Sequence, residues 1–275
     1  MAKRKFRFSN LVYGVLTALV VLFFVFPIFM IIVTSLKSRV DALAVPPVWI
    51  FQPVFDNYVN IFSENQFGRY FMNSLIIATF GTLFALAFGV PAAYSLARRT
   101  FRRESDLSFW ILSQRMMPAI AVIIPMFILL RTVKLIDTYL GLVVVYVTFN
   151  LPFIIWMLRG FFQDLPIEIE ESAMVDGCSR FGTFWRVAVP LVAPGLASAA
   201  IFSFLFTWNE FLFALILTGR NTATMPVAVQ LFMRETGIDW GRMTAAAVVM
   251  MLPTLLFTVF AQRFLVRGLT FGAVK

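Results

Sequence analysis

The 275-residue chain is 60% hydrophobic and only 13% charged, with a net charge of +9. A soluble domain carries about 25% charged residues, so this composition excludes a water-soluble globular protein and indicates that lipid surrounds much of the chain. Basic residues that flank apolar stretches are expected in a membrane protein, and no basic helix face with interleaved aromatic residues indicates nucleic acid as a partner. The absence of histidine and the single cysteine, Cys178, exclude histidine-ligated metals, Cys/His zinc sites, histidine-based triads and an internal disulfide.

Six apolar stretches are long enough to cross a bilayer, which requires about 20 helical residues. They are residues 11–36, 70–97, 107–130, 138–158, 190–217 and 243–262. The first follows a basic N-terminus but is too long for a cleaved signal and precedes no small-x-small cleavage site. It is interpreted as a signal anchor that remains as a helix, and the expected fold class is an all-α integral membrane protein with six transmembrane helices.

The lysines and arginines between these stretches predict the orientation. Alternate loops hold 14 of them in one set (residues 1–10, 98–106, 159–186 and 263–275) and 8 in the other (37–69, 131–137 and 218–242). Because cytoplasmic loops carry the excess of positive charge, both termini and residues 159–186 are expected in the cytoplasm, with Thr222 outside.

Arg115 lies within the third stretch, about nine residues or ~13 Å along its helix. A charged side chain at that depth should face protein or a water-filled cavity, so Arg115 either pairs with another helix or lines a pathway. The sequence leaves both alternatives open. Pro118 and Pro125 in the same stretch allow kinks, which would suit a moving gate and are also common in static bundles.

The charged segment between the fourth and fifth stretches predicts two short helices. Asp164 is expected to cap the first, Pro166 suits its opening turn, and Glu168, Glu170 and Glu171 lie near its positive dipole end. Gly177 is expected to stop this helix, and a second helix should run from about Ser179 to Pro190.

The turn between the two helices has the composition of a docking surface. Its small residues, Ser172, Ala173, Gly177 and Cys178, would let another backbone come close. The alternative is a solvated linker, which would not need the neighbouring apolar residues Met174, Val175, Phe181, Phe184 and Trp185.

The same segment carries the pattern E-x-A-x-x-D-G, followed after about nine residues by an apolar-x-apolar-Pro group. It falls on Glu171, Ser172, Ala173, Asp176, Gly177, Val187, Val189 and Pro190. This pattern resembles the cytoplasmic coupling signature of bacterial ABC importer permeases. The stretches "LPFIIWMLRGFF", "FLFTWNEFLFAL" and "RFLVRGLTFGAVK" resemble the carbohydrate branch, the maltose-transporter type of inner-membrane permease.

The resemblance implies a type I ABC importer permease fold, multi-pass in the bacterial cytoplasmic (inner) membrane. It implies a second permease subunit, two copies of an ATP-binding subunit and a periplasmic or extracellular solute-binding protein as partners. The residues implied in coupling to the ATPase are Glu170, Glu171, Ser172, Ala173, Asp176, Gly177 and Pro190. The implied organisation is a signal anchor with an external segment (1–68), a transmembrane core (69–263) that contains the coupling loop 159–190, and a cytoplasmic tail (264–275).

The stretch "GCSRFGTF" has the glycine spacing of a phosphate loop, but Thr183 and Phe184 stand where Lys and Ser/Thr are required. The chain is therefore expected not to hydrolyse ATP by that route. The resemblance implies a transport subunit that is no enzyme and binds no cofactor itself, with ATP-Mg used by the partner ATPase subunits.

A path for a sugar is expected along the fifth helix. Asn209 and Glu210 lie about 20 residues or ~30 Å along this helix from Pro190, in its outer half, where Asn209 or Glu210 is expected to line the outer end of the path. Trp208 offers an aromatic plate, but three consecutive residues cannot all face one pore. The alternative is that Asn209 and Glu210 only hold helices together.

Two other functions remain possible from the sequence. One is a permease of the same superfamily for a non-sugar solute. The other is a secondary transporter, for which Glu210 is the only intramembrane carboxylate. Residues 218–242 are too broken for a span. They would dip toward the binding protein by resemblance, or form a cap packed on the chain's own bundle.

Overall fold

The computed structural model describes residues 8–63, 67–98, 103–234 and 237–271. Its helices are α1 (Phe8–Ser35), α2 (Arg39–Leu43), α3 (Asp56–Ser63), α4 (Phe67–Arg98), α5 (Glu104–Ser113), α6 (Ala119–Thr132), α7 (Tyr139–Gln163), α8 (Ile167–Val175), α9 (Arg180–Thr183), α10 (Val189–Leu191), α11 (Ala193–Trp208), α12 (Leu212–Leu217), α13 (Met225–Val229) and α14 (Trp240–Phe271). A two-residue antiparallel pair, β1 (Met233–Arg234) and β2 (Gly237–Ile238), is the only strand pairing among the described residues. The all-α prediction is otherwise confirmed.

Four helical segments are individually long and apolar enough to cross a membrane: Val12–Ser35, Phe67–Arg98, Tyr139–Gln163 and Trp240–Phe260. Two bent helix pairs, Ser105–Met116 with Ala119–Thr132 and Arg180–Leu191 with Ala193–Trp208, raise the number to six if each pair counts as one span. The expected tail is helical as far as Phe271, and residues 272–275 lie outside the described residues.

The third predicted span is not one continuous helix. α5 ends at Ser113, a 3-10 turn covers Gln114–Met116, and the two sides of the break meet at 92°. Pro118 is the N-cap of α6, with an extended backbone and no amide hydrogen to continue the preceding helix. Arg115 therefore lies in a bend rather than inside a helix.

The fifth predicted span is also interrupted, because α11 ends at Trp208 and α12 begins at Leu212. The carboxylate of Glu210 accepts hydrogen bonds from the backbone N–H groups of Phe213 (3.0 Å) and Ala214 (3.2 Å). This side chain takes the place of the carbonyl acceptors that a continuous helix would supply. The prediction that Asn209 and Glu210 stand within one long helix is wrong.

The chain divides into two compact units, which are described separately. The first contains residues up to Phe67 together with Val229–Met251. In this unit the apolar window of α1 has no buried residue, as expected of a helix whose surroundings are lipid. Its C-terminal end is held by α3, where the side-chain amide of Asn57 donates to the carbonyls of Ser35 and Lys37, both at 2.9 Å.

The second unit contains Gly68–Ala228 and the residues from Leu252 onward, and α7 is its central helix. Residues along the whole of α7 are buried in two apolar clusters, one around Leu142 and Tyr146 and the other around Ile154 and Phe162. A Cβ at Gly89 of α4 would lie 2.6 Å from the Ile154 side chain, so this approach of α4 to α7 requires glycine.

Asp137, between α6 and α7, fastens the loop that follows α12. Its carboxylate accepts hydrogen bonds from the backbone N–H groups of Gly219 (2.8 Å), Asn221 (3.2 Å) and Thr222 (3.0 Å), and from the Thr222 hydroxyl at 2.8 Å. Burial raises the pKa of Asp137, but these hydrogen bonds together hold it below its ordinary value. Thr222 is buried, as are most residues from Thr222 to Ala228, and this agrees with the packed-cap alternative for that part of the segment.

Candidate functional site

The first helix of the charged segment begins differently from the prediction. Asp164 is the C-cap of α7 and does not cap α8, whose N-cap is Pro166 without a side-chain hydrogen bond. Glu168 and Glu170 do lie in the first turn of α8, where the helix dipole favours negative charge.

The turn between α8 and α9 follows the prediction. Gly177 has a φ of +92°, and the N–H of Cys178 donates to the carbonyl of Ala173 at 3.0 Å, which closes the end of α8. Ser179 then caps α9 by accepting the N–H of Gly182 at 3.1 Å. Helical structure continues through a π-helical turn, Phe184–Ala188, to Leu191.

Polar and apolar side chains are exposed side by side around this turn. We call this set the coupling surface: Glu171, Ser172, Met174, Val175, Asp176, Gly177 and Phe181. Val175 is 87% exposed and Phe181 72%, whereas Phe184 is buried in the second cluster of α7. Ala173 is half-buried and Pro190 is exposed. Large exposed apolar residues beside charges are typical of an interaction surface.

Glu170 does not belong to this surface, because it is only 3% exposed. Its carboxylate pairs with Arg98 at the end of α4, with Oε1 2.8 Å from Nε, and accepts the Tyr94 hydroxyl at 2.5 Å. Arg98 also donates to the carbonyl of Leu165 at 2.9 Å. Glu170 thus fastens α8 to α4, and the sequence alone did not reveal this role.

A cavity of about 580 Å³ brings together three of the four residues predicted to line a path. Its lining includes Arg115, Asn209 and Glu210 with Tyr146, Asn150 and Phe206, and we call it the Arg115 cavity. Trp208 does not line it. Trp208 is 1% exposed and packs against the rings of Phe71 and Phe204, so its predicted role as a sugar-stacking plate is wrong.

Arg115 is held in this cavity by aromatic rings. Its guanidinium lies 5.1 Å from the ring centroid of Phe153 and 4.8 Å from that of Phe206. Cation–π contacts contribute about 0.5–2 kcal/mol each, while an arginine in mid-membrane costs at least ~2.5–3.5 kcal/mol. Arg115 forms no ion pair or side-chain hydrogen bond with the part of the chain that the structure describes.

Glu210 is a structural residue within the same cavity. Besides capping α12, its Oε2 accepts the hydroxyl of Tyr146 at 2.7 Å, which ties α12 to α7. Glu210 therefore holds two helices together and also lines the cavity. Asn209 is exposed, and its side-chain amide donates to the carbonyl of Leu205 at 2.8 Å.

The prediction from sequence missed the residues that α7 contributes to the cavity. Asn150 is 4% exposed and donates to the hydroxyl of Thr207 at 2.7 Å. A buried amide in an otherwise apolar span is itself a signal of a polar pathway or contact, so Asn150 could have been found. Phe206 carried no such signal, because an aromatic residue is ordinary in a span.

The sequence profile of one transporter family, described as "Binding-protein-dependent transport system inner membrane component", matches residues 85–271. The chain belongs to this family. Its members are permease subunits, and the ATPase of such a transporter is a separate subunit.

Full-length relatives in this family are close in sequence. The trehalose transport system permease protein SugB of Mycobacterium tuberculosis is 38% identical over 269 residues, 96% of this chain and 97% of SugB. The trehalose/maltose transport system permease protein MalG of Thermococcus litoralis is 35% identical over 254 residues, 91% of each chain. A crystal structure of a bacterial ABC transporter involved in import of the acidic polysaccharide alginate contains a chain with the same fold. The TM-score is 0.78 at 22% identity, over 96% of this chain and 98% of that one.

Proposed function

We propose that this inner-membrane permease imports a sugar or sugar derivative together with a second permease subunit. Two copies of an ATP-binding subunit would supply the energy, and a solute-binding protein would deliver the cargo. The similarity to SugB and MalG over nearly the whole chain supports a sugar as the cargo, since the names of both relatives specify sugar transport.

The observation that carries the proposal is the coupling surface, which lies within the family-matched residues 85–271. Val175, Phe181 and Met174 are exposed beside Glu171 and a turn fixed by Gly177. A partner subunit that covers this surface would remove the apolar side chains from water. ATP-Mg would be bound and hydrolysed by that partner, since the chain's own glycine-spaced segment lacks the lysine of a phosphate loop.

The coupling surface is linked to the membrane helices through the Arg98–Glu170 ion pair and through the helical segments from α9 to α11. Movement of the docked ATPase would therefore reach α4 and α11 together. The Arg115 cavity, bordered by α7, α11, the bend between α5 and α6 and the break between α11 and α12, supplies a place where cargo would pass.

The test replaces Gly177 with Leu and, as the matched control, with Asn. Asn tolerates a positive φ and keeps the turn, whereas Leu strains it. We expect the Gly177→Leu permease to reach the membrane at the normal level but to lose co-purification with the ATPase and cargo-stimulated ATP hydrolysis. Gly177→Asn should retain both. Normal transport by Gly177→Leu at normal expression would refute the assignment of this surface.

A further inference from the structure

We propose that the Arg115 cavity binds an acidic group of the cargo, so that this permease conducts sugars bearing a carboxylate, sulfate or phosphate. This inference rests on the proposed function, and it adds the chemical class of cargo. The inference rests on the difference in hydrogen bonding between Glu210 and Arg115, the two charged side chains of the cavity.

Glu210 has little capacity left to bind cargo. Its two oxygens accept three hydrogen bonds, from the Tyr146 hydroxyl and from the N–H groups of Phe213 and Ala214. An ionised carboxylate offers about four acceptor positions, so three of them are already filled. Its negative charge is thus committed to the α7–α12 contact and to the start of α12.

Arg115 is in the opposite situation. Glu210 lines the same cavity but forms no ion pair with it. Among the described residues the guanidinium has no carboxylate partner and lies over the rings of Phe153 and Phe206. Phe153 and Phe206 pack edge-to-face with a centroid separation of 5.1 Å, which fixes the platform under the guanidinium. Five N–H donors in a planar fork remain for an oxyanion, which arginine binds in bidentate geometry.

The rest of the lining suits the body of a sugar. Phe149, Phe202 and Phe213 contribute apolar ring surface, and Asn209 is an exposed amide that can meet hydroxyl groups. A cavity of about 580 Å³ lies in the range of small-molecule sites.

The experiment measures uptake of a panel of sugars by cells that carry the complete transporter. The panel contains neutral sugars (trehalose, maltose, cellobiose) and acidic ones (glucuronate, galacturonate, glucose 6-sulfate and glucose 6-phosphate, with uronate disaccharides). Deletion of this chain identifies its cargo as the sugars whose uptake is lost. Chains with Arg115→Gln, Arg115→Lys or Arg131→Gln are then compared, and Arg131, exposed in the last turn of α6, is the charge-matched control.

We expect deletion to abolish uptake of at least one acidic sugar. Arg115→Gln should lower that uptake by roughly tenfold to a hundredfold, the effect of losing one hydrogen-bonded charge contact. Arg115→Lys should raise the KM by a smaller factor, because it keeps the charge but loses the bidentate fork, and Arg131→Gln should have no effect. If the Arg115→Gln permease fails to accumulate in the membrane, the KM of the Arg115→Lys permease for the acidic sugar tests the inference instead.

Several results would overturn the inference. If deletion abolishes uptake of neutral sugars only, the cargo class is wrong while the proposed function stands. If Arg115→Gln releases the second permease during purification, the guanidinium pairs with a carboxylate of that subunit and not with cargo. An unchanged KM for the acidic sugar in Arg115→Lys would also refute it. If deletion affects no sugar at all, the proposed function itself fails.

Discussion

The carboxylate of Glu170 and the guanidinium of Arg98 form a buried ion pair that joins the first turn of α8 to the last turn of α4. Their side chains are 4% and 12% exposed, and Tyr94 donates a further hydrogen bond to the same carboxylate. The neighbouring Glu171 is exposed on the coupling surface. Two adjacent glutamates therefore face opposite environments, although the family resemblance implied both in coupling.

Substitutions of these two glutamates should have separable effects. Glu170→Ala leaves Arg98 without its counter-charge, and we expect a loss of about 3 kcal/mol or more in the free energy of unfolding, measured by denaturation in detergent. The double change Arg98→Met with Glu170→Met should be less destabilising, because no unpaired charge remains buried. Glu171→Ala should leave stability unchanged and reduce cargo-stimulated ATP hydrolysis. Equal destabilisation by the two single alanine changes would contradict this division.

Substitutions of the adjacent residues Trp208 and Asn209 should also have separable effects, one on stability and the other on transport. Trp208 fills the space between Phe71 and Phe204, so Trp208→Ala should cost about 3–5 kcal/mol of stability and lower the amount of protein in the membrane. Asn209→Ala removes an exposed amide of the Arg115 cavity and should reduce transport at normal protein level and unchanged Tm. A Trp208→Ala variant of normal Tm would show that this packing is wrong.

The orientation of the helices remains a prediction, and single cysteines test it. Thr222 is a poor position for a label, because it is 1% exposed and its hydroxyl is bonded to Asp137. Arg220 is exposed and is therefore used as the labelling position instead of Thr222. In a Cys178→Ser background, Arg220→Cys should react with an impermeant maleimide from outside, and Ser105→Cys only after the membrane is opened. Labelling of both from the same side would overturn the six-span arrangement.

Asp137 should make stability depend on pH. Since its pKa is lowered in the folded chain, its contribution is fully present above the pKa of the unfolded chain, about 3.9, and is lost as the pH falls through the lower folded value. Asp137→Asn replaces one accepting oxygen by an NH2 group that faces other N–H donors, so it should lower the Tm at pH 7. The Tm difference from the parent should shrink as the pH drops below about 4, because the protonated carboxyl is equally poor as an acceptor. Asp106→Asn, at an exposed position, is the control and should match the parent throughout. A Tm difference that is constant with pH would refute the role of ionised Asp137.

Hydropathy, proline positions and local turn chemistry could be read from the sequence because they act over a few neighbouring residues. The apolar stretches located the spans, and Gly177 and Ser179 marked the end of α8 and the start of α9, since φ preference and capping depend on the residue itself. The family signature rests on the same short segment. These local signals were sufficient for the fold class and for the family.

The places where a helix breaks, and the direction in which a polar side chain points, were decided only by tertiary structure. Pro118 allowed a kink, but the 92° bend that carries Arg115 into the cavity depends on the packing of α5 against α7 and of α6 against α12. The Glu210 side chain could have faced cargo, but it accepts hydrogen bonds from Tyr146 on α7 and from free N–H groups at the start of α12. Glu170 and Trp208 were assigned to a surface and a path, and long-range partners at Arg98 and Phe71 buried them. A short stretch of sequence does not identify such partners, because burying a charge or a large ring is favourable only when distant residues supply the matching charge or surface.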